Sequence, residues 1–239
     1  MAEKYVDIDT LKYLLYDIHN LEELLVRDRF QDHDKESLDM FIDSVKEFAD
    51  RELFPYVKEM DENPAYHKDG KVFVHDQVKT MMYKGGEMGL ISAPFNYEDG
   101  GMQIPFLSHT AATYILDAAN NHLPGYAGLT QGAAELIIHF ANKELNKAYV
   151  PNMLSGQWGG TMCLTEPQAG SSLSDIVTKA TPTQDGYYKL TGQKIFISGG
   201  DNNFTENVVH LVLARIERAP KGTKGISLFV VPKKRPSSD

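Results

Sequence analysis

Cysteine is nearly absent. Cys163 stands alone among 239 residues, so no disulfide can form within the chain, and a reducing compartment suits it. Positive charge is scarce as well: 24 Lys and Arg face 33 Asp and Glu, for a formal net charge of −9. A field of that sign repels phosphate backbones and argues against general nucleic-acid binding. Long apolar runs are lacking. The run Val208 to Ile216 is interrupted by His210 and Arg215, and it falls far short of the roughly 20 apolar residues that span a bilayer. The opening MAEKYVDIDT has no apolar core of the secretory kind. The expectation is a cytoplasmic protein with no membrane span. No G-x-G-x-x-G, no Walker A loop and no G-x-S-x-G elbow occurs, so a Rossmann or P-loop phosphate site and a serine hydrolase are disfavoured.

What is present is an ordinary globular composition, 42% hydrophobic and 24% charged, enough for one large domain or two modest ones. Leu11, Leu14, Leu15 and Ile18 recur at helical spacing. Asn20 with Glu23 reads as a helix cap, and Arg27 to Glu36 as a linking loop. Leu38, Ile42, Val45 and Phe48 make an amphipathic stripe that Pro55 ends or kinks. Residues 61–73 read as polar loop, and Val78 to Met88 as a helix closed by glycines. Further helices are expected over 106–120, 124–140 and 143–154. Gly128, Gly132, Ala133 and Ala134 would allow another surface close to the backbone.

Near Trp158 the period changes. The segments 161–165, 176–180, 187–190, 194–198, 208–215 and 226–231 are short and rich in β-branched or aromatic residues. Asp185-Gly186 and Thr191-Gly192 punctuate them. The fold expected is a helical domain over 1–157, with 1–34 as an extension, then an antiparallel, barrel-like β domain over 158–239. The β domain looks incomplete, because its last strand runs almost to the final residue and would be an open edge. Lys233 to Asp239 reads as a solvated tail, and the basic patch of Lys221, Lys224, Lys233, Lys234 and Arg235 as a solvated turn and tail rather than a CoA-phosphate site.

Chemistry has two candidate locations. In Thr161 to Asp175, Pro167 stiffens a turn, Gly170 permits close approach, and Ser171 and Ser172 offer hydroxyls. Successive N–H groups in such a turn can cradle an anion, although a plain strand-to-loop turn has the same composition. In Lys194 to Gly200, Phe196 and Ser198 fall on one face if the segment is a strand; a core aromatic beside a surface serine is the bland alternative. His33 between Asp32 and Asp34 reads as solvated loop rather than metal cluster, and Cys163 as a buried inert thiol.

Taken together, MCLTEPQAGS at 162–171 and GQKIFIS at 192–198 resemble the acyl-CoA dehydrogenase family. The segments YLLYDIHNLEELL, GLTQGAAELI and ENVVHLVLARI look like its long-form branch, which includes the 3-methylmercaptopropionyl-CoA dehydrogenases. The resemblance implies FAD as cofactor and α,β-dehydrogenation of an acyl-CoA thioester to a trans-2-enoyl-CoA. It also implies an electron-transfer flavoprotein as partner and a homo-oligomer when full length. By similarity the flavin contacts are Met162, Leu164, Thr165, Gly170, Ser171, Phe196, Ile197 and Ser198. Ser171 also lies near the CoA moiety, while Glu166 and Pro167 shape the loop. CoA is polyanionic, so an acidic chain must concentrate positive charge or N–H groups locally.

This sequence departs from the family pattern at several places. Met162 stands where an aromatic is common, Gln168 for a frequent glycine, Ser172 for Asp, Phe196 for Trp and Ser198 for Thr. The family continues into a second helical bundle that carries the catalytic base, so the resemblance implies that this chain alone is an inactive fragment with no base of its own. Two other readings remain open. One is an acyl-CoA oxidase, nitroalkane oxidase or flavin monooxygenase of the same fold. The other is a non-catalytic interaction module.

Overall fold

The computed structural model describes residues 5–235; residues 236–239 of the expected tail lie outside them. Helix α1 (Ile8–Tyr13) starts on Asp7, whose carboxylate accepts from the Thr10 N–H, and runs into a π turn at Leu14–Ile18. The π turn rotates the apolar face. Leu15 and Tyr16 are buried, while Leu14 and Ile18 are 40% and 51% exposed. The short α2 (Glu22–Leu25) is not capped as expected: Asn20 sits at φ 48° and its side chain caps nothing. The residue before α3 (Lys35–Phe48) carries the signal instead. Asp34 accepts from the Ser37 N–H at 2.8 Å, and the Ser37 hydroxyl accepts from the Asp34 N–H at 2.9 Å. That reciprocal pair satisfies two end donors. Leu38, Ile42, Val45 and Phe48 form the buried stripe. A π turn and a 3-10 turn around Pro55 lead into α4 (Val57–Glu62).

The expected loop over 61–73 contains a hairpin, β1 (Tyr66–Lys68) with β2 (Lys71–Phe73). Asp69 and Gly70 hold φ 50° and 75° at its tip, the left-handed pair that suits a two-residue hairpin turn. Helices α5 (Asp76–Glu87), α6 (Phe106–Asn120), α7 (Pro124–Phe140) and α8 (Lys143–Leu154) complete the helical layer. Their apolar residues join one core, with Met82, Ile115, Ile137 and Met153 fully buried.

The second layer is a curled five-stranded sheet of β3 (Trp158–Cys163), β4 (Lys179–Pro182), β5 (Tyr188–Thr191), β6 (Asn207–Ile216) and β7 (Ile226–Pro232). It is mixed rather than antiparallel. β6 pairs parallel with β3, from Trp158↔Asn207 to Cys163↔Val212, and parallel with β4 at Ala180↔Ile216. β4–β5 and β6–β7 are antiparallel. Parallel neighbours need a crossover, and residues 164–206, which hold the first candidate motif from Leu164 onward and all of the second, form it. The strand expected at 194–198 does not form; Phe196 has φ 56°, incompatible with extended pairing. β6 is covered on both faces, with Val208, Val209, Leu211 and Ala214 buried. β7 pairs with β6 alone among the described residues, the open edge expected.

The layers meet where β3 crosses α7. The Gly160 N–H donates to the buried Thr130 hydroxyl at 2.9 Å. A Cβ on Gly160 would stand 2.9 Å from the Ala133 Cβ and the Thr130 Cα. Glycine is required by this close approach.

Candidate functional site

β3 ends at Cys163 and delivers the chain into a tight turn. The Glu166 N–H donates to the Ala169 carbonyl at 2.8 Å, and the Ala169 N–H returns to the Glu166 carbonyl at 3.1 Å. Pro167 and Gln168 stand exposed at its tip. The Glu166 side chain points inward and is fully buried. Oε1 accepts from Lys194 Nζ at 2.8 Å and the Thr178 N–H at 3.1 Å, and Oε2 accepts from Gln168 Nε2 and the Val177 N–H, each at 2.8 Å. Burial opposes its ionisation. The Lys194 ammonium and the Thr178 and Val177 donors outweigh burial and hold the carboxyl at about 2. This charge is a structural anchor, as the loop-shaping role expected of Glu166 requires.

Lys194 Nζ also donates to the Leu164 carbonyl at 2.9 Å, and the Ile195 N–H donates to the Thr165 carbonyl at 3.0 Å. The two sequence motifs are therefore in direct contact. They meet through a loop pairing and not through the strand alternation expected. Past Ile195 the chain turns outward. Phe196 is 88% exposed on its left-handed backbone. Ile197 is half-buried and Ser198 exposed. Gly199, at φ 63°, passes 3.4 Å from the Tyr126 ring of α7, measured from where its Cβ would lie. The segment 194–199 is thus a strap from the loop at 164–165 to α7.

Leu164 and Thr165 are half-buried beside the strap, Gly170 is half-buried with open space around it, and Ser171 is exposed. Met162 packs back against the helical core. Thr165, Ser171 and Ser198 are hydroxyl-bearing side chains with no side-chain hydrogen bond to another described residue. The loop's far end is pinned by Arg215, whose Nε donates to the Ile176 carbonyl at 2.7 Å and whose Nη2 donates to the Ser174 carbonyl at 2.6 Å. Lys194 and Arg215 were not among the expected site residues. A signal for Lys194 existed, since an acid buried in one motif needs a cation and the other motif supplies one. Arg215 offered none, because its partners are backbone carbonyls.

Other candidates have structural explanations. Burial raises the Cys163 thiol pKa. Thr161 Oγ1 lies 2.7 Å from His210 Nδ1 inside the sheet, and burial lowers that imidazole's pKa. The His33 ring bonds the Met102 carbonyl at 2.8 Å. Among the described residues no group of three or more His, Cys, Asp or Glu is placed to hold a metal, and no helix is long and apolar enough to cross a membrane.

The described geometry coincides with known proteins. Residues 35–157 match the acyl-CoA dehydrogenase N-terminal domain, and residues 161–238 the acyl-CoA dehydrogenase middle domain. The chain belongs to the acyl-CoA dehydrogenase family. The 3-methylmercaptopropionyl-CoA dehydrogenase of Ruegeria pomeroyi is 41% identical over 70% of this chain and 28% of its own length. The butyryl-CoA dehydrogenase of Syntrophomonas wolfei is 33% identical over 93% of this chain and 37% of its own. In fold, the acyl-CoA dehydrogenase of Bacillus anthracis complexed with FAD aligns with a TM-score of 0.68 at 24% identity, over 84% of this chain and 32% of that one. The chain spans about a third of the length of the curated relatives it matches.

Proposed function

We propose that the polypeptide carrying this chain is an FAD-dependent dehydrogenase of an acyl-CoA thioester, and that the face formed by Leu164, Thr165, Ser171, Phe196, Ile197 and Ser198 is one wall of its flavin site. The observation that carries this reading is the pairing of 164–165 with 194–195, which brings together the segment that bears Thr165 and the segment that bears the exposed Phe196 ring and Ser198. Such a surface fits a planar heteroaromatic ring with a polar edge: Phe196 offers an apolar face and Thr165 and Ser198 offer hydrogen bonds. Ser171, on the exposed loop, suits the phosphate-bearing part of FAD or CoA. When bound, FAD supplies the hydride acceptor for oxidation at the β carbon.

The residues of this chain bind and orient; proton abstraction is assigned to none of them. Glu166 in particular is excluded as base, because its two oxygens already take four donors and its side chain is fully buried.

The test uses the complete polypeptide as encoded. Purified protein is expected to show the visible bands of bound oxidised flavin. Those bands should bleach anaerobically when acyl-CoA is added, with the enoyl-CoA detected by mass spectrometry. Phe196→Ala should weaken FAD binding about tenfold, the scale of one lost aromatic contact. Apoprotein that takes up no FAD, or flavin that stays oxidised with every acyl-CoA tried, overturns the proposal.

A further inference from the structure

Nothing holds the strap as a regular strand would. Its contact with the segment after β3 consists of the Ile195 N–H to Thr165 carbonyl bond and the Lys194 ammonium. One bond between two loops leaves a hinge, whereas two bonds fix an angle. The second is a salt-bridged amine whose side chain is only 11% exposed. Its acceptors lie on two sides, the Leu164 carbonyl and Glu166 Oε1. Glu166 cannot rotate to release it, because Gln168, Val177 and Thr178 occupy its remaining acceptor positions. Two residues ahead of the strap Gly192 threads past Thr178, where a Cβ would come within 2.3 Å of Thr178 Oγ1. The chain is therefore seated just ahead of the strap at Gly192 and at the strap's far end against Tyr126, and Lys194 fixes the strap's first residue to the loop after β3.

We infer that Lys194 is a positioning residue for the flavin wall: by binding the Leu164 carbonyl and the Glu166 carboxylate together, it sets the angle at which Leu164–Thr165 and Phe196–Ser198 face the ring. This rests on the flavin reading above. It assigns Lys194 a role beyond neutralising a buried acid, because the bond to the Leu164 carbonyl acts on a residue of the wall itself. Glu166 in turn serves as the fixed post on which the ammonium is held.

Two variants in the complete polypeptide separate the roles. Lys194→Met removes both bonds and leaves a buried, uncompensated carboxylate, so apoprotein melting temperature falls. FAD affinity, measured by flavin fluorescence on reconstituting apoprotein, is expected to fall about tenfold, the equivalent of one well-placed hydrogen bond. Adding Glu166→Gln removes the unpaired charge. The double variant should regain melting temperature relative to Lys194→Met while its FAD affinity stays low and its bound-flavin spectrum stays altered, since the Leu164 carbonyl still lacks its donor. Recovery of affinity together with stability overturns the inference and leaves Lys194 a counter-ion. Wild-type protein that takes up no FAD would instead overturn the flavin reading itself.

Discussion

Glu166 is the residue where charge, burial and loop geometry meet. A carboxylate with no solvent contact is costly unless every lone pair is used, and here backbone N–H groups, an amide and an ammonium use them. Its folded-state pKa of about 2 lies below the ordinary 4.5. The pairing therefore stabilises the fold fully above pH 4.5 and is lost as pH falls toward 2. The linked free energy is on the order of a few kcal/mol. Melting curves across that window should show an acid-side loss of stability that Glu166→Gln makes shallower, at the expense of lower stability at neutral pH. Equal acid sensitivity in both proteins would show that another carboxylate governs the transition.

At the scale of elements, the position of the site depends on β3. Its far end launches the loop at 164–178, and its middle is set against α7 through Gly160. A side chain at Gly160 would push β3 off α7, because one of the atoms it meets is backbone and cannot swing aside. Gly160→Val is expected to lower stability by about 1–3 kcal/mol, a drop of roughly 2–4 °C in melting temperature per kcal/mol for a chain this size. On the proposed flavin reading it should also loosen FAD binding, since the displaced strand leads directly into Leu164. Unchanged melting would show that the layers accommodate a wider gap.

How far this arrangement was legible follows from the same elements. Helices α6, α7 and α8 were readable because apolar residues recur over long windows and polar residues or Pro mark their starts; Asn142 caps α8 by accepting from the Leu145 N–H at 2.9 Å. The β1–β2 hairpin was hidden by strands of three residues each with largely exposed side chains. The parallel pairing of β3 with β6 leaves no local signal, because the partner lies across the whole crossover. KIFIS imitated a strand through its β-branched and aromatic content, while its backbone was committed to a loop contact and a left-handed residue. The motif residues were thus identifiable, and the means of joining them was not.

On the whole-molecule scale, the two layers form a platform whose candidate site faces outward. Sites that hold organic cofactors commonly bury 70–90% of the ligand surface, and a single wall can cover only one side of a planar ring. Phe196 at 88% exposure, with Ser171 and Ser198 in solvent, describes a surface with nothing opposite it among the described residues. On the proposed flavin reading the hydroxyls and the aromatic ring contact one face of the ring, yet they cannot exclude water from its other face, and open polar contacts contribute little once water competes. Residues 1–239 expressed alone are therefore expected to fold, to carry substoichiometric flavin after gel filtration, and to leave an artificial electron acceptor unreduced when acyl-CoA is added. If the isolated chain emerges with one tightly held flavin per molecule, the wall closes over the ring by itself, and Phe196 and the strap must move inward on binding.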